Sequence, residues 1–271
     1  MAASDTVLLV GAGNMGGALL TGWFRSGIPG ASVTVLDPSA APRIQSAIAD
    51  AGSTLVTHVP QDLSPDVLFL ALKPQMMGSA LPALAKLVGP QTVVVSVAAG
   101  TTIASLSEAL GNGATVRAMP NTPAMVGRGI TGAFANDKVT AEQRDLVHRL
   151  LKVSGPVEWV ESETDIDLVT AVSGSGPAYV FYLVECMAEA GRKLGLPADL
   201  AMRLARETVA GAGELLHQSS DAAADLRRNV TSPGGTTAAA LAVLTEPHDG
   251  MQPLFDRAIA AARERAEELS R

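Results

Sequence analysis

The 271-residue sequence predicts two folded parts: a doubly wound, mainly parallel α/β sheet at residues 1–162 and an all-α domain at residues 163–271. Short apolar runs alternate with helical segments up to about Ser162, and a glycine-rich turn follows the first of these runs. Beyond that point, long stretches rich in Ala, Leu and Glu replace the β-branched runs. Alternating strands and helices are typical of a parallel sheet, because right-handed crossovers place helices on both of its faces.

The strands of the first part are predicted from short apolar, often β-branched runs. The run from Val67 to Leu72 is apolar without alternation, as expected of a strand that is covered on both faces. The predicted strands are residues 6–10, 32–36, 67–72, 92–97, 115–119, 131–135 and 157–160, and the predicted helices are 15–24, 43–51, one beginning near Thr102, and 140–151.

The second part is predicted to contain only helices. The first of them has Pro177 in its first turn and ends at Gly195, which are ordinary start and stop signals. The apolar faces of its long helices are larger than one small domain needs, which favours a homo-oligomer. The predicted helices are residues 177–194, 196–218, 221–228, 237–244 and 251–269.

Composition excludes several classes of protein. A net charge of -7 and only 3% aromatic residues are poorly suited to nucleic acid, which requires a basic face or stacking surfaces. The single cysteine, Cys186, cannot form an intramolecular disulfide or a cysteine-based zinc site, so no metal is expected. Residues 1–5 lack the pattern of a signal peptide, and no apolar run could span a membrane. We therefore expect a cytoplasmic protein without a membrane partner.

The glycine-rich turn matches the G-x-G-x-x-G pattern of dinucleotide-binding Rossmann domains. It follows a predicted strand and opens a predicted helix, which is the context that the pattern requires. Its glycines permit a tight turn, and the cofactor pyrophosphate would rest on the unpaired N–H groups of the helix. The candidate cofactor-binding residues are Gly11, Ala12, Gly13, Asn14, Met15 and Gly16.

Asp37 ends the second predicted strand, where a carboxylate can bind the ribose 2′-hydroxyl of NAD. The same carboxylate would repel the 2′-phosphate of NADP, whereas Ser39 and Arg43 would favour it. Asp37 could equally be an Asp-Pro turn residue. The sequence thus leaves the choice between NADH and NADPH open.

Further candidates follow the next strands, since ligands of open α/β sheets collect at the carboxyl ends of strands. Lys73 follows the third strand, Ala99 and Gly100 follow the fourth, and Asn121 follows the fifth. A solvated loop lysine and a turn asparagine are the structural alternatives. Small residues here would let a flat nicotinamide ring lie against the backbone.

Two loops in the second part each precede a helix. Ser173-Gly174-Ser175-Gly176-Pro177 and Ser232-Pro233-Gly234-Gly235-Thr236-Thr237 both offer hydroxyl and backbone N–H groups. Helix N-termini are electropositive and can hold a carboxylate. Helix capping by Ser and Thr is the alternative for each loop alone.

Taken together with the glycine-rich turn, these loops resemble pyrroline-5-carboxylate reductases. The other motifs that carry the resemblance are Ala71-Leu72-Lys73-Pro74 and Arg117-Ala118-Met119-Pro120-Asn121-Thr122-Pro123. The resemblance covers almost the whole chain. It implies a Rossmann domain, a helical dimerisation domain, often larger rings of dimers, and reduction of 1-pyrroline-5-carboxylate to L-proline by NADPH or NADH.

The resemblance also implies roles for individual residues. Thr237 would lie near the ring nitrogen as the catalytic hydroxyl, and the loop that carries it could come from a neighbouring subunit. The implied substrate-binding residues are Ser173, Ser175, Gly234, Gly235, Thr236 and Thr237, and the implied cofactor contacts besides the glycine-rich turn are Lys73, Ala99, Gly100 and Asn121. With Asp37 and Ser39 from the end of the second strand, and with Ala71 and Pro74 on either side of Lys73, these complete the candidate cofactor-binding residues.

The sequence departs from the family at one helix start. Where relatives commonly carry His-Pro, this chain has Asp221-Ala222-Ala223-Ala224-Asp225-Leu226. No histidine lies in the implied site motifs. We therefore expect catalysis mainly by proximity and orientation, with Thr237 positioning the nitrogen and with water or the substrate supplying the proton.

Two other classes fit parts of the pattern. A β-hydroxyacid dehydrogenase or imine reductase would share the architecture, but such a dehydrogenase uses a lysine early in the helix after its glycine-serine motif. Here that helix has no lysine before Lys193. A dinucleotide sensor would have no need of the second loop.

Overall fold

The computed structural model describes residues 5–270. Residues 1–4, which belong to the segment without a signal-peptide pattern, and Arg271 lie outside the described residues. Two compact units are present. The first runs up to Gly174 and also includes the residues from Ala262 onward, and the second is Ser175–Ala261. The boundary after residue 162, predicted from composition, stays a prediction.

The first unit contains an eight-stranded sheet with the order β3-β2-β1-β4-β5-β6-β7-β8. Neighbouring strands are parallel except for β6 and β7, which are antiparallel. The predicted doubly wound, mainly parallel sheet is therefore confirmed. The strands are β1 (Val7–Val10), β2 (Val33–Leu36), β3 (Thr54–Val56), β4 (Val67–Leu70), β5 (Val93–Ser96), β6 (Thr115–Pro120), β7 (Thr131–Ala135) and β8 (Val157–Trp159).

Helices cover both faces of this sheet. The helices that precede the second unit are α1 (Asn14–Arg25), α2 (Pro42–Asp50), α3 (Pro74–Leu84), α4 (Ile103–Leu110), α5 (Ala141–Lys152) and α6 (Asp165–Val169). The last of these continues into a π-helical turn, Thr170–Gly174. β3, α3 and α6 are additions to the elements predicted from sequence.

The first unit has an apolar layer on each face of the sheet. Leu9 and Phe69 belong to one layer, whereas Leu8 and Leu68 belong to the other. Successive residues of a strand point to opposite faces, so a strand that is buried on both sides must be apolar throughout. Trp23 of α1 is fully buried, packs edge-on against Phe69 with ring centroids 5.4 Å apart, and donates its indole N–H to the Leu150 carbonyl at 2.7 Å.

The second unit is all-helical, as predicted. It comprises α7 (Gly176–Lys193), α8 (Ala198–Gln218), α9 (Ala223–Asn229), α10 (Thr236–Leu244) and the first part of α11 (Met251–Leu269). α7 and α8 pack through small side chains: Ala188, Ala201 and Ala205 are buried, while Phe181 and Tyr182 are more than 60% exposed. Cys186 is likewise exposed on α7 rather than buried in a helical core.

Candidate functional site

The glycine-rich turn joins β1 to α1 in a conformation that requires glycine at two positions. Gly11 has φ +89°, a left-handed backbone that residues with a side chain rarely adopt. A Cβ on Gly16 would lie 2.0 Å from the Gly11 carbonyl oxygen, so only glycine permits this close approach. The turn is fixed to the sheet by the Gly11 N–H, which donates to the Leu36 carbonyl at 2.9 Å.

The N-terminus of α1 is open to an anion. Its N-cap is Gly13, which has no side chain to accept hydrogen bonds from the first turn. Gly13 and Asn14 are exposed, and nothing lies within 4 Å of where a Cβ on Gly13 would be. The first N–H groups of a helix lack intrahelical partners and attract negative charge. A cofactor pyrophosphate would fit this position.

Asp37 follows β2 and lies against the glycine-rich turn. Its Oδ2 accepts the Ala12 N–H at 2.8 Å, and its Oδ1 accepts the Ser39 N–H at 2.8 Å. The Asp37 carboxylate therefore stabilises the glycine-rich turn, and it lies where a Rossmann domain binds the adenosine ribose of its cofactor. Arg43, in the first turn of α2, is exposed. Asp37 and Arg43, the two charged groups that bear on the choice between NADH and NADPH, thus both lie within a few residues of the end of β2.

The other predicted cofactor contacts lie along the same edge of the sheet. Lys73 is exposed and immediately precedes α3, whose first residue is Pro74. The Ala71 N–H donates to the Val10 carbonyl at 2.8 Å, which places the end of β4 beside the glycine-rich turn. Because β1, β4, β5 and β6 are neighbours in the sheet, their carboxyl ends form one continuous rim.

Ala99, Gly100 and Asn121 complete this rim after β5 and β6. Ala99 and Gly100 are half-buried. The side-chain oxygen of Asn121 accepts the Ile130 N–H at 3.0 Å, so Asn121 holds the loop between β6 and β7. That contact is structural, and it also fixes the orientation of the Asn121 amide at the rim.

Ser173 and Ser175 lie on either side of the boundary between the two units. Ser173 belongs to the π-helical turn and donates its hydroxyl to the Val169 carbonyl at 3.1 Å. Gly174 packs against Met119 of β6, because a Cβ there would be 2.6 Å from the Met119 Cε. Ser175 is the N-cap residue of α7, but its side chain makes no capping hydrogen bond.

The loop before α10 has an uncapped helix N-terminus. Gly235 is the N-cap residue, and Gly234 before it has φ +70°. Thr236 is exposed and Thr237 is half-buried. Ser and Thr hydroxyls therefore do not cap α10 or α7 as the capping alternative required, and the first N–H groups of α10 remain available to a carboxylate.

Arg117, in β6 of the first unit, is a residue whose importance the sequence alone did not reveal. Its motif carried part of the family resemblance, but the arginine itself was given no role. In the structure Arg117 is 2% exposed and makes ion pairs with Glu163 and Asp167. Its partners lie far away in sequence, so no local pattern predicts them.

Within residues 5–270, no group of three or more His, Cys, Asp or Glu side chains is arranged to hold a metal ion. Over the same residues, no helix combines the length and the apolar character that crossing a membrane requires.

A doubly wound sheet with a glycine-rich turn, an uncapped α1 and a continuous rim of small residues defines a dinucleotide-dependent oxidoreductase. Family models agree: one described as NADP oxidoreductase coenzyme F420-dependent matches residues 6–100, and one described as pyrroline-5-carboxylate reductase dimerisation matches residues 163–269.

Curated and solved relatives extend this similarity over the whole chain. Pyrroline-5-carboxylate reductase of Pseudomonas aeruginosa is 40% identical over 97% of this chain and 96% of its own length. The Pasteurella multocida enzyme is 36% identical over 99% and 98%. A solved pyrroline-5-carboxylate reductase from Coxiella burnetii superposes with a TM-score of 0.90 at 35% identity, covering 99% of both chains. The chain belongs to the pyrroline-5-carboxylate reductase family.

A more distant structure adds information on the cofactor. The pyrroline carboxylate reductase of Plasmodium falciparum, solved with NADP bound, has a TM-score of 0.80 at 28% identity and covers 99% of both chains. The family resemblance that the sequence motifs indicate is therefore confirmed, and the helical part carries the family's dimerisation domain.

Proposed function

We propose that this protein reduces 1-pyrroline-5-carboxylate to L-proline with a hydride from NADPH or NADH, the last step of proline biosynthesis. The observation that carries the proposal is sequence similarity to named reductases over 97% of the chain. The glycine-rich turn and the uncapped N-terminus of α10 support it, because they offer one anion site for a pyrophosphate and one for a carboxylate.

In this proposal the first unit binds the cofactor. Gly11 to Gly16 hold the pyrophosphate, and Asp37 and Ser39 face the adenosine ribose. The nicotinamide end is held by Ala71, Lys73, Pro74, Ala99, Gly100 and Asn121. NADP bound to the Plasmodium falciparum relative supports this use of the unit. The ratio of the Michaelis constants for NADH and NADPH decides which cofactor is preferred.

The loop before α10 receives the substrate. Because the Gly235 N–H donates to the Ser232 carbonyl at 3.0 Å, Gly235 shapes the loop while the N–H groups of Gly234 and Thr236 bind the carboxylate. The Thr237 hydroxyl positions the ring nitrogen. The family resemblance assigns Ser173 and Ser175 to substrate binding as well. Hydride adds to C5, the electron pair of the C=N bond moves to nitrogen, and a proton from water or the protonated imine completes the amine. Orientation of the two reactants accounts for most of the rate.

Thr237 gives this site a specific test. Thr237→Ala removes the hydroxyl, and we expect kcat/KM to fall by about ten- to a hundredfold, the equivalent of one hydrogen bond to a charged group in the reacting complex. Thr237→Ser retains the hydroxyl and should recover most of the activity. Thr245→Ala, which removes a hydroxyl that bonds the Leu241 carbonyl at the other end of α10, is the control and should leave kcat/KM unchanged.

The reaction class is tested by NAD(P)H oxidation with three additions: pyrroline-5-carboxylate, a 2-methyl-3-oxo acid, and no substrate. Oxidation with the imine alone supports the reductase. Oxidation with the oxo acid alone would favour the dehydrogenase class, although α7 carries its lysine only at its end, Lys193. Tight cofactor binding without turnover would favour a sensor.

The helical unit supports a homodimer. Its match to a dimerisation domain accounts for the exposed apolar side chains of α7 and α8 in the single chain. Assembly of such dimers into a ring is the larger form that we propose for this family member. We place the protein in the cytoplasm, with a small imino acid as its substrate and no membrane or nucleic-acid partner.

A further inference from the structure

Arg117 lies at the centre of a cluster of charged and polar side chains in the first unit, in which Arg117 and Asp167 are buried and Glu163 and Ser270 are half-buried. Its guanidinium donates to Asp167 Oδ1 at 2.9 Å, to Ser270 Oγ at 3.2 Å and to Glu163 Oε1 at 3.4 Å. The Ser270 hydroxyl donates to the same Asp167 oxygen at 3.2 Å. Because a buried charge is unfavourable unless it is paired, these partners account for the burial of the arginine.

On one side, the cluster contacts the first residue of α4. Besides Arg117, Glu163 Oε1 accepts the backbone N–H of Ile103 at 2.7 Å. Ile103 is the first residue of α4, where a carboxylate is favoured by the unpaired N–H groups of the helix. Arg117 thereby fixes, through Glu163, the end of the loop that connects β5 to α4.

The other side of the cluster lies next to Gly100, in the middle of the loop between β5 and α4. Ser270 directly follows Leu269, whose backbone lies against Gly100. A Cβ on residue 100 would be 2.8 Å from the Leu269 carbonyl oxygen, and Gly100 has φ +70°. The hydrogen bonds of Ser270 to Arg117 and Asp167 therefore hold the end of α11 in contact with the backbone turn at Gly100.

The loop held in this way borders the nicotinamide half of the proposed cofactor site. In a doubly wound sheet the acid after β2 marks the adenosine half, so the ends of β4, β5 and β6 face the other nucleotide. Ala99 and Gly100 belong to this second half. The Arg117 cluster thus holds the β5–α4 loop at two points, directly at the Ile103 N–H and, through Leu269 next to Ser270, at Gly100.

We propose that Arg117 is a positioning residue for hydride transfer. It holds the β5–α4 loop in the conformation that receives the nicotinamide ring, acting through Glu163 on one side and through Leu269 and Ser270 on the other. The inference rests on the proposed use of NAD(P)H by this site, and it is independent of which imine is reduced.

Two substitutions of different severity test the proposal. Arg117→Lys keeps the charge but loses the planar fork that reaches three partners at once. Ser270→Ala removes one hydroxyl and leaves the ion pairs intact. The control is Arg265→Met, which removes an exposed ion pair with Glu268 near the same end of α11. Each variant is assayed well below its own melting temperature.

Two ligands separate positioning from general destabilisation. One is the reduced cofactor that the enzyme prefers, and the other is the same molecule without nicotinamide, ADP-ribose or its 2′-phosphate. For Arg117→Lys we expect affinity for the nicotinamide-free ligand to be unchanged, while the cofactor binds more weakly and kcat/KM falls by about ten- to a hundredfold, as misplaced reactants do. Ser270→Ala should change in the same direction by a smaller factor, and Arg265→Met should behave as wild type.

Either of two results would overturn the proposal. In one, the folded Arg117→Lys and Ser270→Ala variants bind the cofactor and turn over as wild type does. In the other, they lose affinity for both ligands equally, which would make the cluster purely structural. Failure of the wild type to reduce pyrroline-5-carboxylate would contradict the proposed function alone, because both binding constants are measured without the imine.

Discussion

Thr131 opens β7 with a hydroxyl that is fully buried and has no hydrogen-bond partner among the described residues. An unsatisfied buried polar group costs about 1–3 kcal/mol, and a residue of the same shape without the hydroxyl avoids that cost. We expect Thr131→Val to raise the free energy of unfolding by about 1 kcal/mol in urea titrations.

Thr92→Val provides the matched comparison for this prediction. Thr92 is also buried, but its hydroxyl donates to the Pro65 carbonyl at 2.7 Å and accepts the Gly89 N–H at 3.0 Å. Removing it should lower the free energy of unfolding by about 1–3 kcal/mol. Destabilisation of the Thr131 variant to the same extent would contradict the assignment of an unpartnered hydroxyl.

Two glycines of the same turn should respond differently to alanine. A Cβ on Gly16 would collide with the Gly11 carbonyl oxygen, so Gly16→Ala should lower the free energy of unfolding by about 1–3 kcal/mol and weaken cofactor binding with it. A Cβ on Gly13 meets no protein atom within 4 Å. Gly13→Ala should therefore keep the melting temperature of wild type and lose cofactor affinity alone, since only the bound pyrophosphate would meet the methyl group.

Calorimetric titration with the cofactor, together with thermal unfolding of the free protein, measures both effects. Wild-type cofactor affinity in Gly13→Ala would show that the pyrophosphate does not lie on the N-terminus of α1. In that case the first unit would lack the pyrophosphate site that the proposed function requires.

At the scale of elements, the uncapped N-terminus of α10 allows a test of charge. Gly235→Asp places a carboxylate at the N-cap position, where negative charge is favoured, and its Cβ would lie 3.2 Å from the Ser232 carbonyl oxygen, which must shift slightly. The same carboxylate would repel the substrate's own, and like charges a few ångströms apart raise the energy enough to increase KM for pyrroline-5-carboxylate by about tenfold or more.

Ala222→Asp is the control for Gly235→Asp. It adds the same charge at the N-terminus of α9, where Ala222 is the N-cap residue and no side chain caps the helix. Steady-state kinetics should give an unchanged KM for this variant. Equal KM values in both variants would contradict the placement of the substrate carboxylate on α10.

The elements that were predictable from sequence carry a strong local signal. β1 and β4 are uninterrupted apolar runs, and α7 has Pro177 in its first turn and ends before Gly195. β3 spans only Thr54–Val56 at the edge of the sheet, where few residues are buried, so no apolar run marks it. α3 contains Pro82, which weakens its helical pattern.

The parts of the candidate site also differ in whether the sequence predicts them. The glycine-rich turn and the loop before α10 were predictable because each lies within a few consecutive residues. The Arg117 cluster was not, because Glu163, Asp167 and Ser270 reach the arginine only after the sheet and the end of α11 have formed.

For the whole molecule, dimerisation should depend on the apolar face of α7. Phe181 is 63% exposed in the single chain, and a charge at the centre of an apolar interface would be costly to bury. We expect Phe181→Asp to shift the protein from dimer to monomer in light-scattering measurements. Met125→Asp, a change at an exposed apolar residue of the first unit, should leave the dimer intact. A dimeric Phe181→Asp variant would place the interface elsewhere.

In the proposed reaction, the cofactor hydride is transferred to C5 of the imine. The wild-type enzyme, supplied with 1-pyrroline-5-carboxylate and with NADPH or NADH carrying deuterium at the transferred C4 position, should form L-proline with one deuterium at C5 for each cofactor oxidised. Mass spectrometry and NMR of the product measure this directly. Proline without deuterium at C5, or cofactor oxidation that yields no proline, would contradict hydride transfer to the imine carbon.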